Sequence, residues 1–334
     1  MGQQGKREIV RRKATRRALA GSLAVGVLGG LGLGVAPAAL AAGEDITFIQ
    51  GVKGDGFYIS MACGVEARAD KAGANVKVVG PEKFDATLQK PILDAVIASK
   101  PDAILIAPND VKAMQKPLEK ARKAGIEVVL VDTTVNKPKR VAVSEISSNN
   151  YAGGAAALRA VKRAGVTGGK VMGIGVRPGI STTDARDAGF KDAVAKDSNF
   201  EFIGQEYSQN EPAIAAQITT ASIAANPDLK AIFASNLFSA QGAATGIKQA
   251  GKEGEIVVIG FDAGPDQIKA LKDGTVQALI AQKPYNIGTQ GVTQALRAIK
   301  GKKTKSKITT GFTILTDQNV NTNFGQKAAY RSEC

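Results

Sequence analysis

A chain of 334 residues exceeds what a single core usually holds, because cores stop growing near about 250 to 300 residues; two domains are therefore expected, and 44% hydrophobic with 22% charged residues fits globular structure rather than disorder. Histidine is absent, which removes the usual general base, the commonest metal ligand and every Ser-His or Cys-His pairing, and two cysteines cannot build a structural zinc site, so neither metal, cofactor nor enzymatic activity is expected. The net charge of +14 falls partly on the first 41 residues, where Lys6, Arg7, Arg11, Arg12, Lys13, Arg16 and Arg17 face only Glu8, and the remaining +8 is scattered over helix surfaces and the 301–307 loop without interleaved aromatics, so no nucleic-acid partner is expected.

Arg11 to Arg17 form a basic block, Leu19 to Val35 an apolar run, and Ala39-Leu40-Ala41 a small-x-small cleavage pattern. Residues 1–41 thus read as a cleaved signal peptide and the mature product as periplasmic or secreted. An apolar run of 17 residues with six glycines is a poor membrane anchor, because crossing about 30 Å of hydrocarbon takes roughly 20 apolar residues. Thr15-Arg16-Arg17-Ala18-Leu19 resembles a twin-arginine signal, which leaves the general secretory and twin-arginine routes both open. Export permits a disulfide between Cys63, in the first mature helix, and Cys334, the last residue. Loop closure would credit such a bridge with up to about 4 to 5 kcal/mol. The alternative is a buried Cys63 with Cys334 free on a frayed end; compartment and pairing favour the bridge.

Along the mature chain, short β-branched runs alternate with helical patterns. Strands are expected at 46–50, 75–79, 103–107, 127–131 and 140–143, then at 170–174, 201–206, 230–234, 255–260 and 277–281. Between them, stretches such as Thr87 to Lys100 and Val111 to Ala124 repeat apolar residues every three or four positions. Asp85, Asn109-Asp110 and Thr182-Thr183-Asp184 look like helix amino-terminal caps, and Gly73, Gly125, Gly165, Gly251 and Gly274 like helix stops. Strand-helix alternation of this kind means mainly parallel sheets covered on both faces, here two doubly wound α/β lobes.

Ligands of open α/β sheets sit at the carboxyl ends of the strands. The residues there are Asp55 with Phe57 and Tyr58, Asn109, Asp132, then Asp184, Asn210, Asn236, Asp262 and Gln282. Carboxylates and carboxamides pair with vicinal hydroxyls, and an aromatic face covers the C–H side of a sugar. Plainer roles stand beside these: Asp110 is better explained as a cap, Asp184 fits a cap equally well, and Phe57 also fits the core. The glycine clusters at Gly165 to Lys170 and Gly173 to Gly179 match neither a P-loop nor a dinucleotide fingerprint.

IGFDAGPD at Ile259 to Asp266, IAQKPYNIG at Ile280 to Gly288, FASN at Phe233 to Asn236 and AILIAPND at Ala103 to Asp110 occur in order with GDGFY at Gly54 to Tyr58, VLVD at Val129 to Asp132 and RDAGF at Arg186 to Phe190. In these motifs the chain resembles the ribose-binding-protein family of sugar-binding components of ABC importers, over Asp45 to Asp317. The resemblance implies a type I periplasmic binding fold, two lobes joined by a three-segment hinge near Ser148, Gln282 and Thr310 to Thr313. The lobes would comprise 44–148 plus 283–311 and 149–282 plus 312–319, with the 320–334 tail returning to the first. It implies a monomer that captures a monosaccharide or sugar alcohol and delivers it to a membrane permease. Asp55, Phe57, Tyr58 and Asp132 would line one side of the cleft, Asn236 and Asp262 the other, with Gln282 at a hinge. Ribose binders carry Arg where this chain has Thr133, another Arg at the position aligned with Asp184, and an aromatic at that of Asn210. Arg186 either compensates for a lost cation or serves structure. The altered pocket leaves open a sugar alcohol, a different monosaccharide or an amino sugar; separate alternatives are a small polar ligand read by a chemoreceptor and a secreted histidine-free enzyme using carboxylates. A repressor of the same architecture would carry a helix-turn-helix in place of the export signal.

Overall fold

The computed structural model describes residues 43–334; the signal-peptide reading of residues 1–41 lies outside them. No helix among the described residues is long and apolar enough to cross a membrane.

The first sheet begins with β1 (Asp45–Ile49), β2 (Asn75–Val79), β3 (Ala103–Ile106), β4 (Glu127–Val131) and β5 (Ser144–Ser148). It is interleaved with α1 (Gly56–Asp70), α2 (Ala86–Ser99) and α3 (Gln115–Lys123). The chain then passes through α4 (Asn150–Arg163) into β6 (Gly169–Gly175), α5 (Ser181–Ala195), β7 (Phe200–Tyr207), α6 (Pro212–Ala225) and β8 (Leu229–Ala234). It continues with α7 (Leu237–Gln249), β9 (Val257–Phe261), α8 (Pro265–Lys272) and β10 (Ala278–Ala281). It returns through α9 (Pro284–Ile299) to β11 (Lys307–Thr310), crosses again to β12 (Thr313–Leu315) and ends after the short α10 (Asn323–Gln326). The described residues thus build two six-stranded sheets, ordered β11-β5-β4-β3-β1-β2 and β12-β10-β9-β8-β6-β7. All pairings are parallel except that of β10 with the edge strand β12.

Alternate residues of each central strand serve opposite faces, which is why the strands read as continuous apolar runs. Phe48, Leu105, Val129 and Val131 pack toward α1 and α9, while Ile49, Ile104, Ile106, Val128 and Leu130 pack toward α2 and α3. In the second sheet Met172, Ile174, Ile232 and Val258 face α6 and α7, and Phe233, Ile259 and Phe261 face α4 and α5. Two helix pairs approach backbone to backbone through glycine. A Cβ on Gly64 of α1 would lie 2.1 Å from the Tyr285 carbonyl oxygen of α9, and one on Gly154 of α4 would lie 1.9 Å from that of Arg186 on α5.

The expected helix stops hold: Gly73, Gly125, Gly165, Gly251 and Gly274 all have positive φ, between 62° and 96°. Asp85 caps α2, its Oδ1 accepting from the Thr87 N–H at 2.6 Å. Other boundaries differ. The strand expected at 140–143 is a 3-10 turn, Pro138–Arg140, and the strand proper is the serine-rich β5, held in the sheet by pairing with β4 on one side and β11 on the other. Tertiary pairing here overrides propensity. The helix expected from Val111 starts only at Gln115, because the Asp110 carboxylate captures the N–H groups of Lys112 and Ala113 in a preceding turn. Thr182-Thr183-Asp184 lies inside α5, whose N-cap is Ile180. Cys63 and Cys334 are joined by a disulfide, with Cα atoms 5.2 Å apart.

Candidate functional site

A cleft opens where the carboxyl ends of the two sheets face each other. From the first sheet it receives Asp55, Phe57, Tyr58 and Asp132; from the second, Asn210, Asn236, Asp262 and Gln282, with Arg186 rising from α5. Sequence reasoning had selected each of these.

Asp55 is the N-cap of α1: its Oδ1 accepts from the Phe57 N–H at 2.8 Å, so the same carboxylate that starts the helix also faces the cleft. Tyr58, one helical step further, donates its hydroxyl to Asp132 Oδ2 at 2.8 Å, while Asp132 Oδ1 is buried without a partner. On the other side Asp262 Oδ1 accepts from Gln282 Nε2 at 2.7 Å and from the Tyr330 hydroxyl at 2.9 Å. The Arg186 guanidinium stands 3.8 Å from Asp262 Oδ2 and stacks 3.8 Å over the Phe261 ring. Arg186 is itself held by Asn150, the first residue of α4, and by the Ser235 carbonyl, both at 2.9 Å. The close α4–α5 contact at Gly154 brings Asn150 within reach of Arg186. Asn236 caps α7 through Ser239 and donates to Asn210 Oδ1 at 2.7 Å.

Burial dominates the electrostatics. It pushes the Asp55 carboxyl up to about 7, with the charges of Asp262 and Asp132 adding to the rise against the Phe57 N–H and Arg186. It lifts Asp132 to about 6 against the opposing pull of Arg186 and the Tyr58 hydroxyl. The Tyr58 and Tyr330 hydroxyls are pushed up, also by burial first, and so remain donors. Asp55 and Asp132 thus titrate near neutrality, in a cleft that Arg186 also lines.

Two selected residues lie elsewhere. Asn109 is fully buried behind the cleft, where its Nδ2 donates to the Gly51 carbonyl at 2.9 Å and its N–H to Gln89 Oε1 at 3.0 Å; it shapes the loop after β1. Asp184 points back along α5, accepting from the Gly179 N–H at 3.0 Å, so its plainer role as a helix-end brace fits. Two residues on, Arg186 does line the cleft. Phe84, Val176, Ile180, Thr182 and Thr183 complete the lining and were not selected. Phe84 follows β2 and Val176 follows β6, so the strand-end rule applied to every strand finds both. Tyr330 lies in the carboxyl-terminal tail, where no strand-end rule reaches.

Around the rim the two halves touch. The Val111 N–H donates to the Gly179 carbonyl at 3.1 Å, the Thr134 N–H to Ser181 Oγ at 2.9 Å, and Arg177 to the Asn109 carbonyl at 2.8 Å. Lys83 pairs with Glu211 at 2.9 Å.

Two α/β lobes closed over a polar cleft at their strand ends, joined by three chain crossings among the described residues, define a type I periplasmic solute-binding protein. The chain belongs to the periplasmic binding protein domain family, whose model matches residues 46–303. It is 30% identical over 264 residues to the ribose import binding protein of Escherichia coli strain K12, covering 79% of this chain and 88% of that protein. The crystal structure of an ABC transporter solute binding protein from Agrobacterium vitis, bound with α-D-tagatopyranose, superposes with a TM-score of 0.84 at 40% identity, over 86% of this chain and 99% of that one. A second Agrobacterium vitis solute binding protein, with bound D-fucose, gives a TM-score of 0.81 at 32% identity, over 86% and 100%.

Proposed function

We propose that this protein is the extracytoplasmic receptor of an ABC importer, closing two lobes around one monosaccharide or sugar alcohol and delivering it unchanged to a membrane permease. The observation that carries the reading is the meeting of Asp132 and Asp262, one from each sheet, in a single cleft. Each lobe then carries half of a hydroxyl-binding set, and only the closed form completes it, so ligand free energy drives closure. The lobes are 44–148 with 283–311 and 149–282 with 312–319, the 320–334 tail returning to the first. The product acts as a monomer outside the cytoplasm after removal of residues 1–41. The sugars named in the relatives' structures are monosaccharides, which supports the ligand class.

An amino sugar is a second reading, favoured by the imbalance of three cleft carboxylates against one guanidinium. A thermal-shift screen against monosaccharides, sugar alcohols and amino sugars separates the two. A cleft-closing ligand stabilises by RT ln(1 + [L]/Kd), so a neutral sugar raising the melting temperature more than its amino counterpart supports the first reading. No shift with any of them contradicts both.

A further inference from the structure

The tail after α10 joins both halves of the molecule at the site itself. The Tyr330 N–H donates to the Ala263 carbonyl, just beyond β9, at 2.9 Å. One residue later the Arg331 N–H donates to Ser60 Oγ on α1 at 2.7 Å, and Cys334 closes the disulfide to Cys63 on the same helix. A Cβ on Gly56 would lie 3.4 Å from the Arg331 carbonyl oxygen and 3.6 Å from Tyr330 Cβ, so the tail rests directly on the start of α1.

Tyr330 is 6% exposed, and its two ends face different lobes. The ring packs on Phe57 of the first, with centroids 5.8 Å apart. The hydroxyl donates to Asp262 Oδ1 of the second at 2.9 Å and accepts from the Gln282 N–H, at the hinge, at 2.8 Å. With Gln282 Nε2 also on Oδ1, two donors fix one oxygen of Asp262 and turn the other toward Arg186 and the cleft. We propose that Tyr330 is a positioning residue for Asp262, and that the Cys63–Cys334 bridge holds the tail as a fourth strap between the lobes to keep it there. This rests on the sugar-binding reading above. The phenol ties closure to aim: its ring needs the first lobe in place before its hydroxyl can orient a carboxylate of the second.

The test is equilibrium titration of wild type, Tyr330→Phe, Asp262→Asn and the double variant with D-tagatose, D-fucose and D-ribose. Tyr330→Phe keeps the ring and removes the hydroxyl, so its affinity for whichever of these sugars binds wild type should fall about tenfold, the size of one lost hydrogen bond to a charged group. A residue acting through Asp262 adds little in the Asp262→Asn background, whereas a merely structural role gives additive losses. Cys63→Ser with Cys334→Ser should weaken binding severalfold, and Tyr330→Phe should add little to that. Wild-type affinity in Tyr330→Phe, or additive losses across the cycle, overturns the proposal while leaving the sugar-binding reading intact. If wild type binds none of these three, the same cycle is run with the sugar that the thermal-shift screen identifies, and failure to bind any sugar of that screen overturns both.

Discussion

Asp132 and Asp262 occupy equivalent positions in the two lobes. Each ends a strand next to the hinge-proximal strand, β4 beside β5 and β9 beside β10, and each donates its N–H to that neighbour, to Ile146 at 2.8 Å and Ile280 at 3.0 Å. Each has a left-handed backbone, φ 63° and 78°. Aspartate and asparagine adopt that conformation more readily than other side chains, and it swings each carboxylate off the end of its sheet into the cleft.

The pairing separates aim from charge. Asp132→Asn and Asp262→Asn should fold as wild type does and lose about 1.5 to 3 kcal/mol of sugar affinity, roughly 10- to 100-fold, each. The corresponding alanine variants should in addition lose about 1 to 2 kcal/mol of folding stability, the cost of a left-handed residue with an unassisting Cβ. Calorimetric titration and chemical denaturation of the four variants check the two quantities independently.

Gly51 is required by the approach of Tyr58. A Cβ there would fall 2.3 Å from the Tyr58 hydroxyl and 2.5 Å from the Phe84 ring. Gly51→Ala should force the hydroxyl away from Asp132 and lower sugar affinity at least about tenfold, with a stability loss of about 1 to 3 kcal/mol from overpacking. Denaturation midpoints and titration of the variant measure both.

The raised Asp55 carboxyl has a definite sign in the pH dependence of stability. With its folded value near 7 and an ordinary value of 3.8, the folded state holds the extra proton between these limits, so this group's contribution falls as pH rises from about 4 to 7. Asp132, near 6, acts in the same direction. Asp55→Asn keeps an N-cap side chain and removes the titration. The ligand-free variant should therefore gain stability relative to wild type as pH goes from 5 to 8, measured as the difference of their denaturation free energies. A flat difference contradicts the assigned burial.

Arg186 supplies the cleft's one lining cation through a planar stack on Phe261. Arg186→Lys keeps the charge but loses the stack and the forked contacts to Asn150 and Ser235. It should weaken sugar binding by about tenfold or more while leaving the far-ultraviolet circular dichroism unchanged.

Much of this was legible in the sequence because the chemistry recurs with the strand period. Apolar runs ending in Asp132, Asn236 and Asp262 announce both the sheet and the site, since a parallel strand buried on both faces is apolar until its carboxyl end. The failures share a cause. β5 reads Ser-Glu-Ile-Ser-Ser, and its place in the sheet comes from partners on both sides. Asn109 sits at a strand end like the others, but its side chain is drawn inward to the Gly51 carbonyl. Tyr330 reaches Asp262 from the tail, so only tertiary packing reveals it.

The central claim, that carboxylates from both lobes grip one sugar, is tested most directly by a crystal structure of the protein grown with a saturating monosaccharide identified in the thermal-shift screen. The account predicts sugar hydroxyls within hydrogen-bonding distance of both Asp132 and Asp262 in the same closed cleft. A sugar held by one lobe alone, or bound outside that cleft, would contradict it.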